Sequence, residues 1–309
     1  MSSRSEQIAS LEVPSIHVQP PDPASSLPPP SQEESTEDHH ISRTMRFIKT
    51  LRRGFEPKKL WKQDLTQEDL KRLKVDCRAL DLEGDGKSEG LQFLEPIPVQ
   101  VMRRQMAEKT PKDTWTWAPH TLTLDRWREA YFLSGYLRAA FVDEDDLDAA
   151  KVGETGIMEC YTKWAACWDE IPSYCKLKGH SKRTHFTVDW ILHQPDTAFP
   201  HVVGHLCDTN PFDQDCLSSP ELACLVFMGI FRWSDPEYRQ HKIVPVTLVS
   251  GSGYNVRLVH GYVDASAGRV MVYKSPILNF REKKRDHWVN MLRWILAKPV
   301  GDTERKTSG

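Results

Sequence analysis

No apolar run in this chain is long enough to span a bilayer; the nearest, "LACLVFMGIF" at Leu222–Phe231, is about half the required length. No charged-then-apolar pattern opens the sequence, so a secretory leader is not expected. Net charge is nearly absent as well, at −2 over 309 residues. That balance excludes a polyelectrolyte and obliges any nucleic-acid binder to gather its positive charge locally. The seven cysteines are an odd number without a CxxC pair. This argues against a disulfide framework and for free thiols or small buried hydrophobes in a reducing, intracellular compartment, cytoplasmic or nuclear. Also missing are GxSxG, a Walker loop and a Rossmann fingerprint, so no cofactor is expected.

What is present suits a globular chain: 39% hydrophobic and 27% charged residues. The length allows one large domain or two small ones. Ten tryptophans are many for this length and suggest well-packed helices. Residues 1–43, with "PPDPASSLPPPSQEESTEDHH", are rich in Pro, Ser and Glu and are expected to be a disordered tail. A single globular domain is expected over 44–300, with 301–309 a flexible C-terminus.

Along the domain, "TQEDLKRLKVDCRAL" opens with Thr66 as an N-cap and Asp69 three residues on. The spacing predicts a helix with Leu70, Leu73 and Cys77 on one face. "DLEGDGKSEGLQ" places Asp81, Glu83, Asp85, Gly86 and Glu89 at calcium-loop positions, but Gln92 replaces the final bidentate Glu and Pro96 and Pro98 break an exiting helix. A Gly-rich polar loop is therefore expected. "TLDRWREAYFLSGYLRAAF" and "TGIMECYTKWAACWDE" both carry helical stripes, Trp127–Ala130–Leu133–Leu137–Phe141 and Ile157–Cys160–Tyr161–Trp164–Trp168. Residues 171–217 read as loop-rich, with "HFTVDWIL" the one strand. "SSPELACLVFMGIFRW" predicts the most buried helix, with Ser219 as cap and Pro220 and Glu221 in its first turn. Then "IVPVTLVS" reads as a strand with an edge-compatible Pro245, and "NVRLVHGYVD" and "RVMVYKS" as a hairpin. A last helix carries Trp288, Met291, Leu292 and Ile295. The expected fold is α+β: a mostly helical domain with a small antiparallel sheet, the C-terminal three-stranded unit.

Three constellations could carry function. The basic stretch "TMRFIKTLRRGFEPKKLWKQ" holds Arg46, Lys49, Arg52, Arg53, Lys58 and Lys59, which could contact phosphates or dock on the domain. Cys175, His180, His185, His201, His205 and Cys207 could supply a tetrahedral metal site, although they match neither finger spacing nor HExxH. On the hairpin, Asp264, Lys274 and His260 are weighed as a nuclease-like set. With "ASA" as the loop, Asp264 opposes Gly268 and His260 opposes Val272. Asp264 and Lys274 then lie on the order of 20 Å apart, and Val272 stands where a second acid is required. They are expected to be structural: Asp264 bonding the turn, Lys274 keeping its charge in water, His260 packing by its ring.

The segment Pro245–Phe280 resembles one found in a group of uncharacterised filamentous-fungal proteins. The matching residues are Pro245, Val246, Ser250, Arg257, Asp264, Gly268, Val270, Val272, Ser275, Leu278 and Phe280. "GSG" and "DASAG" depart from the turns typical of the group. The resemblance covers about an eighth of the chain and implies an α+β fold and a fungal source, but no activity. The leading functional expectation is a non-enzymatic domain acting through an unknown protein partner. Nucleic-acid association through the basic stretch and "KLKGHSKRTH", and an enzyme with a site in the His-rich 175–207 loops, are the alternatives.

Overall fold

A computed structural model describes residues 64–87, 90–109, 125–139, 164–166, 178–180, 185–282 and 284–304. The 1–43 tail, the basic 46–62 stretch and Cys175 lie outside the described residues, as does most of "TGIMECYTKWAACWDE". Strands, in chain order, are β1 (Asp64–Leu65), β2 (Val75–Ala79), β3 (Leu94–Glu95), β4 (Ala165–Ala166), β5 (Lys178–His180), β6 (His185–His193) and β7 (Val202–Asp208). They continue with β8 (Leu217–Ser218), β9 (Val246–Ser252), β10 (Asn255–Asp264), β11 (Arg269–Lys274), β12 (Leu278–Asn279) and β13 (Lys298–Pro299). The α-helices are α1 (Gln67–Arg72), α2 (Val99–Lys109), α3 (Arg126–Ala139), α4 (Ser219–Ser234) and α5 (Arg285–Ile295).

The expectation of a mostly helical domain with a small sheet is overturned. A nine-stranded mixed sheet dominates, with the path β2-β11-β10-β9-β7-β6-β4 and with β12 and β5 added on β10 and β6. The C-terminal three-stranded unit is there, but it forms only the middle of this sheet. β9-β10-β11 run antiparallel; β2 joins β11 and β7 joins β9 in parallel. Period-two alternation sends successive side chains to opposite faces. Val202, Leu206, Leu248, Val259, Val270 and Val272 meet α4 and α1 on one face. Val203, Val249, Leu258, Met271 and Tyr273 meet α2, α3 and α5 on the other. The result is a three-layer α/β/α sandwich with a core on each side of the sheet.

Several local corrections explain how the sheet grew at the expense of helix and loop. The Thr66/Asp69 capping box forms as expected, but α1 ends at Arg72. Lys74 turns into the left-handed region at φ 57°, which a non-glycine residue rarely enters, and the chain leaves as β2. Ala165 and Ala166, expected in a helix, pair with His193 and Leu192 of β6. β7, expected as loop, is buried along its whole length between β6 and β9. That burial on both faces removes the alternation by which a strand is read from sequence. β9 is likewise central, and Pro245 stands just before it with its carbonyl accepting from Val202. α2 follows Pro98 directly, because proline is tolerated at a helix start. In α4 the cap is Ser218, one residue earlier than expected. Leu222 and Val226 are buried as expected, whereas Phe227 is only half-buried.

The Gly-rich loop after β2 spends its carboxylates on its own backbone. Asp81 accepts from Glu83 N at 2.9 Å and Asp85 from Lys87 N at 3.0 Å. Trp294 and Arg293 of α5 donate to the Leu82 carbonyl and fasten the loop to the last helix. Residues just past 300 remain attached: Lys242 N donates to Thr303 O, and Thr303 bonds the buried His241 ring.

Candidate functional site

The densest polar cluster lies on the α4 face, where β7 and β9 end. The parallel register sets Ser250 beside Leu206 and Gly251 beside Cys207, so the next step brings Ser252 beside Asp208. β10 places Arg257 opposite Ser250. The start of α4 supplies Glu221, because Ser218 and Glu221 bond reciprocally in a capping box, Glu221 N to Ser218 Oγ at 3.2 Å and Ser218 N to Glu221 Oε2 at 2.8 Å.

Arg257 and Glu221 form a fork. Nε donates to Oε1 at 2.7 Å and Nη2 to Oε2 at 2.5 Å, with both side chains fully buried. Burial pushes the Glu221 carboxyl up, but the Arg257 charge and hydrogen bonds outweigh it and hold the pKa below its ordinary value. Burial likewise opposes the Arg257 charge, and Glu221 more than restores it. Both groups are ionised. The third Arg257 donor, Nη1, goes to the Asp213 carbonyl at 2.8 Å, and the guanidinium lies 4.8 Å from the centre of the Phe212 ring.

Lys274 donates to the carbonyls of Gln214 and Cys216. Burial lowers its pKa, and the Arg257 charge adds to this. The Gln214 side chain accepts from Ile277 N at 3.0 Å. Two cations and an amide therefore tie the 209–217 connection over the sheet end. Lys274, expected to keep its charge in water, is half-buried and also spends that charge on these two carbonyls. Asp264 does bond its turn, accepting from Ser266 Oγ at 2.5 Å and Ala267 N at 2.9 Å. The hairpin register is one residue from that expected, Asp264 opposite Arg269 and His260 opposite Tyr273, so the loop has four residues, 265–268. Lys274 opposes Val259, five pairs from Asp264, roughly 17 Å away.

Asp208 differs from its neighbours. Oδ1 accepts from Asn210 N at 2.9 Å, while Oδ2 is buried with no hydrogen-bond partner. Burial pushes this carboxyl up to about 7, against the pull of the Asn210 and Thr209 amides and with help from the Glu221 charge. A carboxyl tuned to neutrality is what acid–base chemistry needs, but Asp208 is fully enclosed.

On the opposite face β7 presents His205 and Cys207, with Cys207 Sγ 3.4 Å from His205 Nδ1. Trp190 lies over His205 at 5.5 Å between ring centres. Burial lowers His205 to about 3 and raises the Cys207 thiol well above its ordinary value. The pair is a neutral thiol and a neutral imidazole, the reverse of an activated thiolate–imidazolium dyad. Of the other expected ligands, His201 shares the His205 face but lies four residues away, about 13 Å along the strand, and donates from Nε2 to Phe93 O at 2.9 Å. His180 and His185 are cross-strand partners at the β5–β6 turn. Among the described residues no group of three or more His, Cys, Asp or Glu is arranged to hold a metal ion.

The Glu221–Arg257 pair was not legible as a site. Glu221 reads as a helix-dipole residue, and Arg257 lies 36 positions away without a motif. The available signal is an arginine inside a strand whose neighbours are apolar on both faces, where a charge needs a partner.

The fold and this centre define a mixed-sheet α/β/α domain with a closed, ion-paired polar heart. Compared with protein-family models, curated proteins and solved structures, the chain matches none. No helix among the described residues is long and apolar enough to cross a membrane.

Proposed function

We propose that this chain is a non-enzymatic protein-binding domain working in a reducing compartment, cytoplasmic or nuclear. The observation that carries the reading is on α3. Tyr131 and Phe132, adjacent on the helix, are 47% and 42% exposed and are the exposed large hydrophobic residues among those described. Trp127, one turn earlier, stacks on Tyr131 at 5.3 Å. Aromatic side chains presented this way are typical anchors of protein interfaces. Two further facts support the reading. The reactive groups of the interior are closed off: Glu221 and Arg257 pair with each other, Cys207 and His205 are held neutral, and Asp208 is fully enclosed. Cys77, Cys207, Cys216 and Cys224 are free thiols, as a reducing compartment requires.

The test is a Tyr131→Ser/Phe132→Ser variant, compared with the parent chain for thermal melting and for protein partners retained from cell extract. The expected result is an unchanged melt with loss of a specific retained protein. Retention of the same proteins by the variant sinks the α3 surface. Salt-dependent binding to random duplex DNA would instead favour the reading raised by the 46–62 stretch.

A further inference from the structure

β2 closes one end of the nine-stranded sheet, and among the described residues no strand pairs with its outer edge. The side of the backbone facing outward follows from its bonds. Val270 N donates to Lys74 O, and Leu80 N donates to Lys274 O, so even-numbered residues of β2 bond β11. In a parallel strand the N–H and C=O of alternate residues point to opposite sides. Val75, Cys77 and Ala79 therefore turn their amides and carbonyls to the open edge.

The side chains along that edge are self-complementary. Asp76 and Arg78 share one face, with side chains 35% and 47% exposed, and Nη2 of Arg78 lies 2.9 Å from Asp76 Oδ2. They flank Cys77 symmetrically. We propose that β2 is a self-association edge, on which a second copy of this chain adds its own β2 antiparallel about a two-fold axis at Cys77. In that arrangement Val75 faces Ala79 of the second copy, Cys77 faces Cys77, and Asp76 faces Arg78 twice over. The outward groups of Val75, Cys77 and Ala79 complete a ladder of about six backbone hydrogen bonds. Each Asp76–Arg78 contact becomes a directly opposed cross-strand pair of opposite charge, with Cβ atoms about 5 Å apart.

Charged residues on an edge often prevent pairing, but that device relies on charge that repels its own copy, as a lysine does. Opposite charges placed evenly about a central residue attract the copy instead. Neither Val75 nor Ala79 carries bulk that would hold two strands apart. A C2 contact of this kind joins the two sheets into one and closes without leading to a filament. The surface is separate from the α3 aromatics, so loss of self-association would leave the binding reading for α3 standing, and the reverse.

The experiment is sedimentation equilibrium of the full chain, alone and with charge reversals. The parent is expected to dimerise with rising concentration. Asp76→Arg, and separately Arg78→Asp, set like charges opposite each other and should weaken association on the order of tenfold or more, with the melt unchanged at concentrations where the parent is monomeric. The double variant Asp76→Arg/Arg78→Asp restores complementarity and should recover association. Residue-resolved amide exchange on the parent gives an independent reading: Val75, Cys77 and Ala79 should slow with concentration. A parent chain that stays monomeric, a dimer indifferent to the single reversals, or exchange at these amides that does not respond to concentration overturns the proposal. Should a variant fail to fold, the exchange of the parent decides alone.

Discussion

Arg257 on β10 and Glu221 on α4 meet as a two-point fork, with neither side chain reaching solvent. One residue comes from the middle of the sheet and the other from the first turn of the helix laid over it. The contact therefore sets where α4 starts, and through the Asp213 carbonyl it also holds the connection that leads into the helix.

Breaking this pair from one side should be far worse than removing it whole. Arg257→Met leaves a buried carboxylate without its counter-charge and should cost about 3–5 kcal/mol. Arg257→Met combined with Glu221→Leu removes both charges, and its loss should fall well below the sum of the single losses, with about 1 kcal/mol remaining for the missing cap. Urea melts of the four proteins supply the cycle. Additive losses would show that the fork is not coupled.

Three buried histidines should make the domain acid-labile. Burial lowers His201 to about 4 and His205 and His260 to about 3; the ordinary value is 6.5. The unfolded chain takes up protons at these sites below about pH 6.5, while the folded chain does not until pH 3–4. Their contribution to stability is thus complete above 6.5 and is lost as pH falls toward the folded values, by about 1.4 kcal/mol per pH unit for each histidine once the unfolded form is protonated. A melting temperature that stays level from pH 7 down to 5 would contradict this.

How much of this was readable in the sequence depended on local signals, namely helical spacing, apolar runs rich in β-branched residues and turn residues. α5 was legible because Trp288, Met291, Leu292 and Ile295 recur at helical spacing, although every residue from Trp288 to Ile295 is buried. β10 and β11 were legible from their apolar runs around a small-residue turn. β7 was not: it is buried on both sides, so "HVVGHLCD" shows no alternation, and the histidines and glycine of that stretch interrupt the kind of apolar run that marks β11. β2 was hidden in a different way. Leu70, Leu73 and Cys77 continue a helical spacing, and only the left-handed turn at Lys74 separates helix from strand. The polar centre was the least legible part. Its members come from β7, β9, β10, β11 and α4, and their meeting depends on a sheet order that no local pattern records.

The close approach of β11 and α4 to Gly261 leaves no room for a side chain. A Cβ there would lie 2.3 Å from Met271 O and 2.8 Å from Leu225 Cδ1. Since the first obstacle is backbone, Gly261→Ala should destabilise by about 3 kcal/mol or more. Gly204→Ala is the control. Its Cβ would meet Met228 Cε at 2.8 Å, the tip of a flexible side chain that can swing away, so the loss should be near 1 kcal/mol. Equal losses in denaturant melts would mean that the strand spacing at Gly261 relaxes.

Asp208 should destabilise the fold increasingly as pH rises from about 4 to 7. Its carboxyl is enclosed, one oxygen lacks a partner, and burial pushes its pKa from 3.8 to about 7. Between these two values the folded chain keeps a proton that the unfolded chain has released. The favourable contribution of that proton is whole below about pH 4 and drains away as pH climbs to 7, where the buried group begins to ionise. The neighbouring Glu221 is already charged, so ionising Asp208 adds a second negative charge beside it, opposed by the single guanidinium of Arg257. Asp208→Asn keeps the shape and the acceptor for Asn210 N while removing the ionisation. Relative to the parent, the variant should be of similar stability near pH 4, gain progressively from about pH 4 to 7, and keep a constant advantage above that. Melting curves of both proteins across that range give the difference directly, and a difference that does not change with pH would show that Asp208 does not titrate in the folded state.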